Sequence, residues 1–110
     1  MNPVVIVHLI ASLMAIAAAI PLIGGRVKMN PWFGVRLPEA FTSNDRWLEI
    51  NRFGGRLLLA WGIIIGLTAT VGIFLSRRAW VAYDWTALVV VLGGLAVLIA
   101  LIHRHVRQTS

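Results

Sequence analysis

Three stretches of the chain, Val4 to Ile23, Leu57 to Ser76 and Trp85 to Ile102, contain no Asp, Glu, Lys or Arg. Each is rich in Leu, Ile, Val, Ala and Gly and fits one helical crossing, since ~20 residues at ~1.5 Å rise cover the ~30 Å hydrocarbon layer of a bilayer. The third is the shortest; it stands upright or uses Tyr83 and His103 at its ends, a mismatch that bilayers tolerate. The pattern predicts an all-α integral membrane protein with three transmembrane helices over residues 4–23, 57–76 and 85–102, in one domain spanning 1–110. Residues 24–56, between the first two, form an ordered polar loop.

That insert combines a turn with a helix. Pro31 and Pro38 each remove a backbone donor and push Asn30 and Leu37 toward extended geometry, while Gly34 between them permits a reversal, so Asn30 to Pro38 reads as a compact loop. Thr42 followed by Asp45 matches a capping box and predicts a helix start at Ser43 or Asn44. Beyond it, Trp47, Ile50, Gly54, Leu57 and Trp61 recur at three- and four-residue spacing, and Asp45, Glu49, Arg52 and Arg56 share another face. This predicts a short amphipathic helix at the membrane interface that either bends at Gly54-Gly55 into the second crossing, the favoured reading, or continues straight and extends that crossing inward.

Composition agrees with the pattern. The chain of 110 residues is 59% hydrophobic and 13% charged, with a mean hydropathy of +0.85, which favours lipid over water as its solvent. The absence of cysteine excludes disulfides, iron-sulfur clusters, thiolate nucleophiles and cysteine-based zinc sites. No cofactor is expected. His103 and His105 are two apart, so on a helix they point nearly opposite ways and chelate poorly; no metal site is expected.

The net charge of +6 would suit nucleic acid in a soluble protein. Here the basic residues flank apolar segments, so nucleic acid is set aside and anionic lipid head groups become the first partner, with Arg26, Lys28, Arg104 and Arg107 facing them. Arg26, Lys28, Arg36, Arg46, Arg52, Arg56, Arg104 and Arg107 lie on one side of the predicted membrane, against Arg77 and Arg78 on the other. The positive-inside rule therefore places the N-terminus outside, and the loop and C-terminus in the cytoplasm. Ala17, Ala18 and Ala19 resemble a signal-peptide cleavage site, but no Lys or Arg precedes the apolar run and Arg26 and Lys28 follow it, so the segment is expected to remain as a helix.

The run N-P-W-F-G-V-R-L-P-x-x-F-T-S-N-D-R-W-x-x-x-N-R-F-G-G, Asn30 to Gly55, resembles the signature loop of the SdpI family, membrane proteins of the bacterial cell named after an immunity factor against a secreted toxic peptide. Asn30, Phe33, Gly34, Arg36, Pro38, Ser43, Trp47, Arg52, Gly54 and Gly55 fall on the family's motif positions. Leu37 departs from the family's usual hydroxyl residue, and Asn51 stands where a histidine is common. The resemblance implies a short, three-helix form of an immunity or signalling protein.

Asn30, Trp32, Arg36, Trp47, Asn51 and Arg52 are the candidate ligand- or partner-binding residues. Arg36 either presents a planar fork to an anion such as lipid phosphate or locks the loop through a carboxylate. Trp32 and Trp47 read first as head-group anchors and second as stacking surfaces for a ligand. His8, an ionisable group inside the first crossing, is either a titrating sensor or a neutral imidazole hydrogen-bonded near the head groups. Gly62 and Gly66 form a G-x-x-x-G, Ala11, Ala15 and Ala19 a small-residue stripe, and Gly93, Ala96 and Ala100 another; these let helices approach and leave one stripe for a homodimer.

No nucleophile, base or metal cluster stands out, so catalysis is not expected. Two functional readings follow: non-covalent binding of a toxin-like peptide or regulator at the membrane, or an accessory or structural subunit of a larger membrane complex.

Overall fold

The computed structural model describes residues 1–109. It consists of three α-helices, α1 (Pro3–Ile23), α2 (Asn44–Ile73) and α3 (Trp80–Thr109), with 3₁₀ turns at Pro38–Phe41 and Arg77–Ala79 and no strand among the described residues. All three helices are long and apolar enough to cross a membrane. The molecule measures 52 × 24 × 18 Å, so a hydrocarbon layer of about 30 Å leaves about 20 Å of its length outside.

Local chemistry explains where the helices begin and end. The Asn2 side chain accepts from the Val4 amide, and Pro3, which has no N–H to leave unpaired, occupies the first helical turn of α1. At the other end Arg26 N donates to Pro21 O and Gly25 N to Leu22 O, with Gly25 at φ +67°. This pair of bonds around a left-handed glycine satisfies the last carbonyls and turns the chain out of the helix. Ser43 caps α2 by accepting from the Arg46 amide. The cap is therefore Ser43 and not Thr42, whose hydroxyl donates back to Glu39 O at 2.8 Å.

The helix α2 runs unbroken through Gly54 and Gly55, which corrects the expected separate interfacial helix and bend. The two glycines provide room, not a hinge: a Cβ on Gly54 would lie 2.6 Å from Val35 Cγ2, and one on Gly55 2.9 Å from Leu22 Cβ. The amphipathic face that the sequence showed is the first part of a single long rod, and its apolar side is covered by the loop and by α1.

This rod is the centre of the fold. Against α1, Gly62 faces Ala15 and Ile16, Gly66 faces Ser12, and Ser12 Oγ donates to Gly62 O at 2.7 Å. Close backbone approach and a polar bridge hold helices together where the surrounding solvent is as apolar as they are. Against α3, Gly94 meets the Trp61 ring, whose Nε1 donates to Val91 O at 3.2 Å. Gly93, expected to pack, has nothing within 4 Å of the position a Cβ would take; a one-residue rotation carries it to the outer face, and Gly94 makes the contact. Two buried clusters terminate the bundle: Val5, Ala69, Tyr83 and Ala87 at the N-terminal end, and Ala40, Trp47, Ile50, Ile102 and Val106 at the loop end.

Candidate functional site

The loop between α1 and α2 is a folded cap. Asn30 builds its turn: Oδ1 accepts from the amides of Trp32 at 2.8 Å and Phe33 at 2.7 Å, and Nδ2 donates to Lys28 O at 2.7 Å. Asparagine suits this position because its side chain offers both an acceptor and a donor within reach of nearby backbone. Gly34, at φ +107°, then brings the chain against α2; any side chain there would collide with Asn51.

Asn51 grips the returning strand of the cap. Only 2% exposed, it accepts from Val35 N at 2.6 Å and donates to Trp47 O at 2.9 Å and Val35 O at 3.4 Å. Trp47, 1% exposed, grips the outgoing strand by donating from Nε1 to Val27 O at 2.9 Å. Its ring packs near Phe41, centroids 5.3 Å apart, and Val27, Met29, Val35 and Leu37 close over the cluster beneath. The expectation of Trp47 as a head-group anchor is corrected: its indole lies in the core of the cap, because its one polar atom finds a carbonyl there.

The six candidate residues thus divide. Asn30, Trp47 and Asn51 are occupied in holding the loop, while Trp32, Arg36 and Arg52 lie on its surface. Trp32 is 84% exposed. Arg36 donates from Nη1 to Pro31 O at 2.8 Å, so it braces the loop through a carbonyl and not through the expected carboxylate. Arg52 lies over Gly25, where a Cβ would come within 2.5 Å of Nη2. Arg26, Lys28, Arg104 and Arg107 are exposed at this same end of the bundle.

A second layer draws α3 into the cap. Glu49 takes both Arg46, at 2.9 Å, and His105, and the His105 ring stacks on Phe53 with centroids 3.8 Å apart. Arg46 also donates to Thr109 Oγ1 at 2.7 Å and Val106 O at 2.9 Å, tying the start of α2 to the end of α3. The i,i+3 spacing of Arg46 and Glu49 made their pairing legible; the role of α3 was not. Beside this network a cleft of about 350 Å³ is bordered by Asp45, Glu49, Arg52 and Arg56, and across α2 a second of about 620 Å³ lies between Gly25–Met29 and Asn44–Leu48. No group of three or more His, Asp or Glu side chains poised for a metal occurs among the described residues.

The model of the SdpI/YfhL protein family matches residues 26–103, which takes in the whole cap, α2 and most of α3. The chain belongs to this family. Neither the curated proteins nor the solved structures contain a match. Within this SdpI/YfhL chain the motif positions carry the cap geometry: Asn30 its turn, Gly34 its approach to α2, Ser43 the helix cap, Trp47 its core, Gly54 and Gly55 the closely packed floor. The helix α1 precedes the matched segment, yet it provides the surface on which Gly55, Gly62 and Gly66 rest. Membership makes this a multi-pass membrane protein of an immunity-type family.

Proposed function

We propose that the chain is a non-enzymatic immunity or signalling protein of the bacterial cell membrane that holds a toxin-like peptide or a regulator by non-covalent contacts at its cap. Its N-terminus lies outside, and the cap and C-terminus lie in the cytoplasm, where Arg26, Lys28, Arg104 and Arg107 meet anionic head groups at about 1 kcal/mol each. One observation carries the reading. Trp32 is 84% exposed, yet its backbone is held by Asn30, so a large aromatic group is presented on a preorganised loop beside the exposed Arg36. Rigid display of Trp and Arg lowers the ordering cost of binding and is the usual makeup of an interface hot spot.

The test is survival of a toxin-sensitive strain expressing the protein. Trp32→Ala with Arg36→Ala should abolish protection while expression and melting temperature stay at wild-type values; unchanged protection in the double variant rejects the cap as the binding surface. A thiol at Gln108→Cys that reacts with an impermeant reagent from outside the cell rejects the orientation. The accessory-subunit reading draws on the outward face of α3, where Trp85, Val89, Leu92 and Val97 are exposed; stoichiometric co-purification of a large membrane subunit would replace the first reading with it.

A further inference from the structure

At the cap end of the bundle, the cleft of about 350 Å³ beside α2 is bordered by Asp45, Glu49, Arg52 and Arg56, with Leu48 and Phe53 as its apolar lining. Its charges are unevenly served. Glu49 is engaged twice, by Arg46 through Oε2 and by His105 through Oε1. Asp45, Arg52 and Arg56 are exposed and make no hydrogen bond or ion pair among the described residues. Arg52 and Arg56 stand four residues apart on one helix, a spacing at which like charges repel unless an anion lies between them. Arg52 packs over Gly25, the left-handed residue that ends α1, where a Cβ would lie 2.5 Å from Nη2.

Depth says what reaches these groups. Arg56 is the last charged residue before the uncharged run Leu57 to Ser76, which places it at the head-group layer, and Arg52 lies about 6 Å further out along the helix at ~1.5 Å per residue. We infer that this cleft is a binding site for the head group of an ethanolamine phospholipid. The two guanidinium forks clasp the phosphate, and the primary ammonium, two carbons further from the chains, donates to Asp45 and Glu49. The order of charge selects this occupant: outward from the membrane α2 presents Arg56, Arg52, Glu49 and Asp45, and the lipid presents chains, phosphate and ammonium. A head group that is only anionic would satisfy the arginines but leave Asp45 facing like charge, and a choline has no N–H to donate to it. The basic residues elsewhere at this end attract any anionic surface, whereas this cleft discriminates between head groups. It needs only that the cap end meets a head-group layer, which either orientation of the protein provides, and it is separate from the contacts proposed for Trp32 and Arg36.

The probe is phosphatidylethanolamine titrated into the full chain in dodecyl maltoside, with phosphatidylcholine, phosphatidylglycerol and chain-free phosphoethanolamine as comparisons, read by native mass spectrometry and by the ¹⁵Nε resonances of Arg52 and Arg56. Phosphatidylethanolamine should fill one saturable site on the order of tenfold more tightly than the other two lipids, move both resonances, and exceed phosphoethanolamine by a wider margin. Arg52→Gln and Arg56→Gln should each weaken it by on the order of tenfold. Asp45→Asn should remove the preference for ethanolamine and retain phosphate binding, and Arg78→Gln, which removes one positive charge at the opposite end of the bundle, should change nothing. Absence of a saturable site, unmoved arginine resonances, or a loss in Arg78→Gln equal to that in the cleft variants overturns the site. Phosphatidylglycerol binding as tightly as phosphatidylethanolamine, or an unchanged preference in folded Asp45→Asn, overturns the amine, and phosphoethanolamine binding as tightly as the lipid overturns the lipid as occupant.

Discussion

Replacing Asn51 with leucine, which has nearly the same volume and no hydrogen-bonding capacity, isolates the clamp between the cap and α2. In the native chain the Asn51 carboxamide accepts from Val35 N at 2.6 Å and is 2% exposed. The variant leaves that part-buried amide without an acceptor, a cost of about 1–3 kcal/mol, and also removes the bond to Val35 O. Trp47 O keeps its ordinary helical bond, so its loss contributes little. The sum, about 2–3 kcal/mol, falls on opening of the loop and not on the helices. At tenfold per 1.4 kcal/mol, hydrogen exchange of the Val35 amide should accelerate roughly 30- to 150-fold. Mass-spectrometric exchange on peptides covering 33–37, with the chain in nanodiscs, reads this directly. Asn51→His should preserve part of the protection, because a neutral imidazole also offers one acceptor and one donor. Exchange that rises less than about threefold in Asn51→Leu, with the helices intact, would show that the cap is held by its apolar floor alone.

Other changes test the remaining joints. Gly62→Leu should separate α1 from α2 and lower the melting temperature sharply, because Ala15 Cβ lies 3.1 Å from a Cβ at this site, whereas Gly93→Ala, with open space around it, should leave the melting temperature unchanged. Ser12→Ala should cost about 0.6–1 kcal/mol in a denaturant titration, the worth of one interhelical hydrogen bond inside a bilayer. Trp47→Phe keeps most of the ring but strands Val27 O; exchange at Val27 to Met29 should rise while the α1–α2 contact persists. Arg46→Met should fray the last turn of α3, seen as faster exchange at Arg107 to Thr109, with little change in overall stability.

Much of the architecture was legible in the linear pattern. Lipid imposes one requirement on a spanning segment, that its backbone be satisfied internally and its side chains be apolar, and three uncharged runs state that requirement without reference to any neighbour. The signal from Thr42 to Asp45 placed the start of α2 to within a residue for an equally local reason, since capping involves atoms within a few residues. The identity of the cap was legible through its ordered motif from Asn30 to Gly55.

Contacts between distant residues were beyond such reading. Trp47 looked like an interfacial anchor until its indole was seen to reach Val27, twenty positions away in sequence, and Gly54-Gly55 looked like a bend until Val35, Leu22 and Ile23 were found packed against them. A glycine in a helix permits a kink and permits close packing equally well; only the neighbours decide between these uses. The same holds for Gly93 and Gly94, where the rotation of α3 about its axis chose which of two adjacent glycines faces Trp61. Asn2 and Asp84 are separated by most of the chain, yet the packing of α1 beside α3 brings Asn2 Nδ2 within 2.7 Å of Asp84 Oδ1, because side-chain chemistry is written along the chain but proximity is set by how the rods pack.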